Sequence, residues 1–268
     1  MPGTRFTDIR RFDSIDSTNR YLLEEARAGA PEGVVAVSDH QTAGRGRLGR
    51  SWEAPPGSNL LVSVLLRPDL PGDQQHLASA VVALAALDAV DTVVGVRLGV
   101  KWPNDLLGPD GRKVAGVLAE TDLGAPATRT GATGPPIVVG IGINVNWPAD
   151  AADLPEELIG LATSLRELVG RPIARSEVLD ALLEAMEPRV GDLGTASGRI
   201  RQAGDLAKAC TTIGTRVRVD LANEWFEGTA TDLTPEGHLV VDVTGTRRTV
   251  VAGDVVHVRS REEADRAS

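Results

Sequence analysis

Apolar residues recur along this chain in two periods, and the change from one to the other lays out the elements. After Ser17 and Thr18, the residues Leu22, Leu23, Ala26 and Ala30 share one helical face, and Gly29 with Pro31 stops the run. That spacing predicts a helix capped by Ser17 or Thr18 and running to about Gly29. VVAVSDH (34–40) reads as a short strand. In NLLVSVLLR (59–67), Leu60, Val62, Val64 and Leu66 alternate with Leu61, Ser63 and Leu65, so the strand is expected to be buried on nearly both sides. QHLASAVVALAALDAV (75–90) is a run of apolar helix formers and predicts a core helix. Strand-like pieces follow at 96–102 (VRLGVKW), 113–121 (KVAGVLAET) and 136–146 (PIVVGIGINVN). Between the last two, GAPATRTGATGPP (124–136) has the Gly, Pro and Thr content of a long surface loop. Helices are expected near 176–187 and 198–209.

The pattern changes at about Thr211. TRVRVDL, EWFEGTATDL, HLVVDV and RRTVVAGDVVHV are short and rich in Val and Thr, with TPEG and TGT as turns between them. They predict a small all-β module, a barrel of about five strands. Upstream, strands and helices mix without a regular βαβ rhythm, which disfavours a doubly wound sheet and favours an α+β fold.

Composition narrows the class. The chain has 268 residues, 42% hydrophobic and 24% charged, which suits a globular protein with one large and one small domain. A formal net charge of −9 argues against a general nucleic-acid binder. One cysteine, Cys210, excludes an intrachain disulfide and an all-cysteine metal site. No apolar run is read as reaching the roughly 18 residues of a membrane span, and MPGTRFTDIRRFDSIDS lacks the apolar stretch of a signal peptide. A cytoplasmic location is the expectation.

Against the acidic background, TAGRGRLGRSW (42–52) interleaves Gly44, Gly46 and Gly49 with Arg45, Arg47 and Arg50 and ends at Trp52. Arginine presents a fixed fork of donors suited to phosphate or carboxylate, and glycine lets a ligand approach the main chain. A loop folded over an anion and a solvated turn both fit. In KWPNDLL (101–107), Pro103 keeps Trp102 extended before a bend that presents Lys101, Asn104 and Asp105 together. Lys113 opens an apolar strand, where a strand-end lysine that keeps its amine in water is also common. Gly140 and Gly142 in GIGINVN suggest close approach of a ligand or another backbone, with a β-bulge as the alternative. Asn144 and Asn146 add amides at that strand's end. STN (17–19) is first a helix cap, and a helix N-terminus also receives small polar groups.

Taken in order, STN, QTAGRGRLGRSW, KWPND, RKVAG and GIGINVN closely resemble the motif series of the biotin protein ligases, over about Phe12 to Val258. That resemblance implies a mixed β-sheet with packed helices, related to class II aminoacyl-tRNA synthetases, followed by an SH3-like barrel. It divides the chain into a catalytic biotin/ATP-binding domain (1–210), an SH3-like domain (211–262) and a frayed tail (263–268). The implied activity has two steps: biotin and ATP give biotinyl-5′-AMP, and a lysine of a biotin carboxyl carrier domain then takes the biotinyl group. By resemblance, Ser17, Thr18, Asn19, Gln41, Arg45, Gly46, Arg47 and Lys113 contact biotin. Arg45, Arg47, Trp52, Lys101, Asn104 and Asn144 serve ATP, and Lys113, Lys101, Arg45 and Asp105 carry the catalysis. Asn104 and Asp105 are left between ATP and the acceptor lysine.

Mg²⁺ is expected to arrive with ATP, with no protein ligand named for it. The carrier belongs to an acyl-CoA carboxylase; neither nucleic acid nor membrane is expected as a partner, and oligomeric state stays open between monomer and weak homodimer. About a dozen residues precede the first strand-like segment, fewer than the roughly 60 of a small independent domain such as a winged helix, so no operator binding is expected. Two rivals remain. Lipoate ligases and octanoyltransferases share the catalytic fold but lack the GRGRxGR loop, and the transferases use a catalytic cysteine where Cys210 reads as a buried thiol. An RNA-binding module would use the Gly/Arg tract, against the net charge and without interleaved aromatics.

Overall fold

Two-sided burial of a few strands organises the chain around one mixed sheet. The computed structural model describes residues 4–122, 135–221, 223–251 and 253–258. Its elements in chain order are β1 (Ile9–Phe12), α1 (Thr18–Arg27), β2 (Val35–Ser38), β3 (Leu60–Leu66), α2 (Leu77–Val94), β4 (Gly99–Lys101), β5 (Asp105–Leu107), β6 (Lys113–Thr121), β7 (Ile137–Ile143), α3 (Leu165–Val169), α4 (Arg175–Asp192), α5 (Ala196–Ala209), β8 (Arg216–Asp220), β9 (Trp225–Leu233), β10 (Leu239–Val243), β11 (Thr246–Val250) and β12 (Asp254–His257). All but the last two residues of the loop expected at 124–136, and the tail at 263–268, lie outside the described residues.

Among those residues a seven-stranded sheet runs β1-β2-β3-β7-β6-β5-β4. β1 and β2 are parallel, and every other neighbouring pair is antiparallel. β3 is buried at every position, as its double alternation implies. Leu60, Val62, Val64 and Leu66 enter the large core with residues of α2 and α4, while Leu65 faces α1 with Leu22, Ala26 and Val138. Each such side chain contributes about 1.5–3 kcal/mol on burial. Ser17 is the residue that caps α1, its Oγ accepting from the Arg20 amide.

One expectation about hydropathy needs correction. Gly72–Val94 has a mean hydropathy of 1.9 and by length and composition alone could cross a membrane. In the structure most of it is α2, a core helix with Leu77, Val81, Ala85 and Val90 fully buried against the sheet and α4.

The C-terminal strands form a separate antiparallel sheet, β11-β10-β9-β8-β12. It is tied to the large sheet at buried points: the Trp102 amide donates to Thr212 Oγ1 (3.0 Å), and the His76 and His238 rings lie 4.6 Å apart. His76 Nε2 also meets the Glu236 carbonyl at 2.7 Å. Burial first, and then His238, push His76 below the usual histidine value. The unfolded chain therefore takes up a proton near pH 6.5 that folded His76 refuses until lower pH, so stability is full above about pH 6.5 and falls as pH drops through it. His257 acts in the same direction, through burial and then Lys101. Thermal melts are expected to show Tm falling between about pH 7.5 and 5.5, with a shallower fall in His76→Gln. Parallel slopes in the two proteins would contradict the assignment.

Candidate active site

Three neighbouring strands supply a floor. Register places Ser63 of β3 opposite Gly140 of β7, and Gly140 opposite Leu118 of β6; Leu61, Gly142 and Gly116 make the next row. Residues two apart on a strand share a face, so the glycines leave the middle of this face bare. Other side chains fill it. A Cβ at position 140 would stand 2.2 Å from Asn19 Oδ1, and one at 142 would stand 2.4 Å from the Trp52 ring. The close approach read from GIGINVN is thus made by two side chains of this chain, not by a backbone. Gly140→Ala is expected to displace Asn19 and lower stability by about 1–3 kcal/mol; an unchanged urea midpoint would argue against that packing.

A polar network crosses the floor. The Thr18 amide and Oγ1 both donate to Gln41 Oε1 (2.8 and 3.0 Å), and Thr18 Oγ1 lies 2.7 Å from Ser63 Oγ. Ser63 Oγ donates to Asn19 Oδ1 at 2.6 Å. Asn19 Nδ2 donates to the Leu118 carbonyl (3.2 Å) and to Glu120 Oε2 (2.8 Å). Both amide hydrogens of Asn19 are therefore used within the protein. Among the described residues, Gln41 Nε2 and the Ser17 hydroxyl hydrogen have no protein acceptor, and both border the same groove.

The Gly/Arg loop closes this groove from above. Gly44 sits where a Cβ would stand 2.3 Å from the Trp52 carbonyl, so the two arms of the loop meet only because that position is bare. Its arginines reach fixed partners: Arg45 meets Glu120 (2.9 Å), Arg47 meets Asn104 Oδ1 (3.0 Å) and the Gly253 carbonyl (2.9 Å), and Arg50 meets Asp254 (2.6 Å). The glycines suggest a loop with few contacts of its own; the structure corrects this, because its arginines bind β6, the bend between β4 and β5, and the C-terminal module. Burial pushes the Arg47 guanidinium down from its ordinary value, opposed by Asp254 and Asp105.

At the far end, Lys113 pairs with Asp105 at 2.7 Å, and Lys101 stands opposite Asp105 in the β4–β5 register. The Lys113 ammonium lies 5.4 Å from the centre of the Trp52 ring, whose Nε1 is buried and has no partner among the described residues. Asn104 donates to the Val117 carbonyl while accepting from Arg47. Asn144 accepts from Asn59 and donates to the Thr163 carbonyl. Asn146 is held by both hydrogen bonds to Ile173.

Ser17, Thr18, Asn19, Gln41, Arg45, Gly46, Arg47, Trp52, Lys101, Asn104, Asp105, Lys113 and Asn144 all line one groove of about 1830 Å³. Sites for a single small ligand run to roughly 300–1,000 Å³, so this one has room for two. Sequence reasoning missed Ser63 and Glu120. Both were marked by alternation, as the polar residues on the floor-side positions of apolar strands. Cys210 is buried, and burial raises its thiol above the ordinary value, which makes it a poor nucleophile.

Residues 11–144 match the biotin/lipoate A/B protein ligase family, and residues 212–258 match the biotin protein ligase C-terminal domain. The chain is 38% identical over 249 residues to the biotin–[acetyl-CoA-carboxylase] ligase of Mycobacterium tuberculosis, covering 91% of this chain and 86% of that protein. It is 33% identical over 244 residues to the bifunctional ligase/repressor BirA of Bacillus spizizenii, covering 91% and 72%. Among solved structures, the biotin protein ligase from Aquifex aeolicus in complex with biotin and ATP superposes with a TM-score of 0.78 at 27% identity, covering 95% of this chain and all of that one.

Proposed function

The chain belongs to the biotin protein ligases of the biotin/lipoate A/B protein ligase family, and from that premise we propose the part each residue of its groove plays. The enzyme activates biotin with ATP as biotinyl-5′-AMP and passes the biotinyl group to a lysine of a biotin-accepting carboxylase domain. The observation that carries the assignment of roles is the single groove, with a hydrogen-bonding floor at one end, Lys101 and Lys113 at the other, and the loop's arginines along it.

Biotin's ureido group takes the free donors of Ser17 and Gln41, while Thr18 and Asn19 hold those donors in place. Its aliphatic tail runs along the groove from that floor toward Lys113. The carboxylate comes to rest near Lys113 and Arg45, and the α-phosphate near Lys101. A carboxylate oxygen attacks the α-phosphorus and pyrophosphate leaves. Negative charge accumulates throughout, so fixed cations and positioning matter more than a base. Arg47, steadied by Asn104, and the Gly46 amide close the loop over the product, shielding the anhydride from water. Adenine stacks on Trp52, and Asn144 shapes the adenine and ribose end. In the second step the acceptor amine attacks the biotinyl carbonyl and AMP departs; Asp105, between the two lysines, receives the incoming ammonium and its proton.

Among the described residues no three His, Cys, Asp or Glu side chains converge on a metal site. Mg²⁺ would enter on the triphosphate oxygens, neutralising charge there, and no step above passes through it. The acceptor we propose is the biotin carboxyl carrier domain of an acyl-CoA carboxylase, in the cytoplasm. Incubation with ATP, apo carrier domain and either biotin or lipoate tests this. A carrier mass shift with biotin alone supports the assignment, and modification by lipoate at a comparable rate would overturn it.

A further inference from the structure

Glu120 has no place in the steps above, yet it is the acidic side chain on which the floor network ends, where it meets the loop. Its Oε2 accepts from Asn19 Nδ2 at 2.8 Å and from Arg45 Nη2 at 2.9 Å. Asn19 is buried and comes from the start of α1; Arg45 is on the loop; Glu120 is on β6. One carboxylate oxygen thus joins floor and lid. Within β6, Leu118 and Glu120 follow Gly116 on the floor side, so the strand places a charge where its pattern offers an apolar position.

Taking the ligase reading as given, we propose that Glu120 is a positioning residue for biotin activation, setting Arg45 over the floor before biotin arrives. A flexible arginine side chain loses substantial rotamer freedom when it is fixed. Glu120 fixes it in the ligand-free protein, so less of that ordering remains for biotin binding. The same oxygen fixes Asn19, whose Oδ1 in turn sets Ser63 and Thr18. Once the adenylate is present, its own negative charge holds Arg45, and Glu120 matters less. The residue therefore acts on capture of biotin more than on turnover.

Glu120→Gln keeps the size and an oxygen acceptor for Asn19 but removes the ion pair with Arg45. A half-exposed pair of this kind is worth up to about fivefold in an equilibrium. The expected result is a KM for biotin raised about fivefold, with kcat at saturating biotin nearly unchanged. In the ligand-free protein, tryptic cleavage after Arg45 should quicken by about the same factor. Glu120→Asp retains the charge but is one methylene shorter, and is expected to fall between the two; it also serves if the glutamine variant does not fold. Unchanged KM and unchanged cleavage overturn the proposal. So does a fall in kcat at constant KM, which a purely structural strut would produce. Wild-type protein run alongside keeps two questions apart: its yield of biotinyl-AMP tests the ligase reading, whereas cleavage at Arg45 is read without ligand and tests the clamp.

Discussion

Lys113→Gln is expected to slow biotinyl-AMP formation by about 10²–10³-fold, the effect of removing one preorganised donor from a site where charge develops. Lys113 stands at the start of β6 with its ammonium 2.7 Å from Asp105, so its charge is held at the end of the floor even without ligand. Both reacting groups are anionic, and their repulsion is greatest as the carboxylate oxygen nears phosphorus. The effect should therefore fall on kcat and kcat/KM together rather than on KM alone. The fold is expected to survive, because the lysine is half-exposed and its strand is held by neighbours on both sides. Single-turnover measurement of the adenylate reads the rate directly. A variant that matches wild type would remove Lys113 from the first step and leave Lys101 and Arg45 as the cations that matter.

The largest expected loss of stability lies just outside the reacting end. Asn59 precedes β3 and is almost fully buried; its Oδ1 accepts from the amides of Val145 (3.0 Å), Asn146 (3.3 Å) and Trp147 (3.1 Å). Its Nδ2 donates to Asn144 Oδ1 at 3.2 Å. One side chain thus organises the turn by which the chain leaves β7. Asn59→Ala leaves the Val145 and Trp147 amides without an acceptor, while the Asn146 amide keeps the Ser58 carbonyl, and each orphaned group costs about 1–3 kcal/mol. With some relaxation and water entry the net loss should be roughly 3 kcal/mol, read from the urea midpoint at unchanged slope. A loss under about 0.5 kcal/mol, typical of a surface change, would show that the turn holds without it. Biotin affinity should fall as well, since Asn144 borders the groove and loses a partner.

Much of this molecule can be read along the chain, and what cannot is mostly long-range. The burial of β3 and α2 follows from local periodicity, and so does the alternation in the C-terminal strands. β1 (IRRF) is too short and too basic to show a period, and its parallel pairing with β2 is a tertiary matter. β5 is hidden because KWPND reads as a bend, and its strand begins only where the bend closes on Lys101. For the site, residue types in order point to the groove but not to the division of labour within it. Asn19 reads as a ligand contact, and its bonds to Ser63 and Glu120, 44 and 101 positions away, leave no mark along the chain. The Gly/Arg tract reads as a loop with few contacts, yet Arg47 finds the Gly253 carbonyl 206 positions on. Composition carries no trace of such pairings; only the sheet register and the docking of the C-terminal strands bring them together.

Direct detection of the intermediate tests the account at its centre. Purified protein incubated with biotin, ATP and Mg²⁺, without any carrier, should yield biotinyl-5′-AMP by mass spectrometry, bound to the enzyme at up to one equivalent and accompanied by pyrophosphate. Folded protein that forms no adenylate from biotin, or forms one equally well from lipoate, would contradict it.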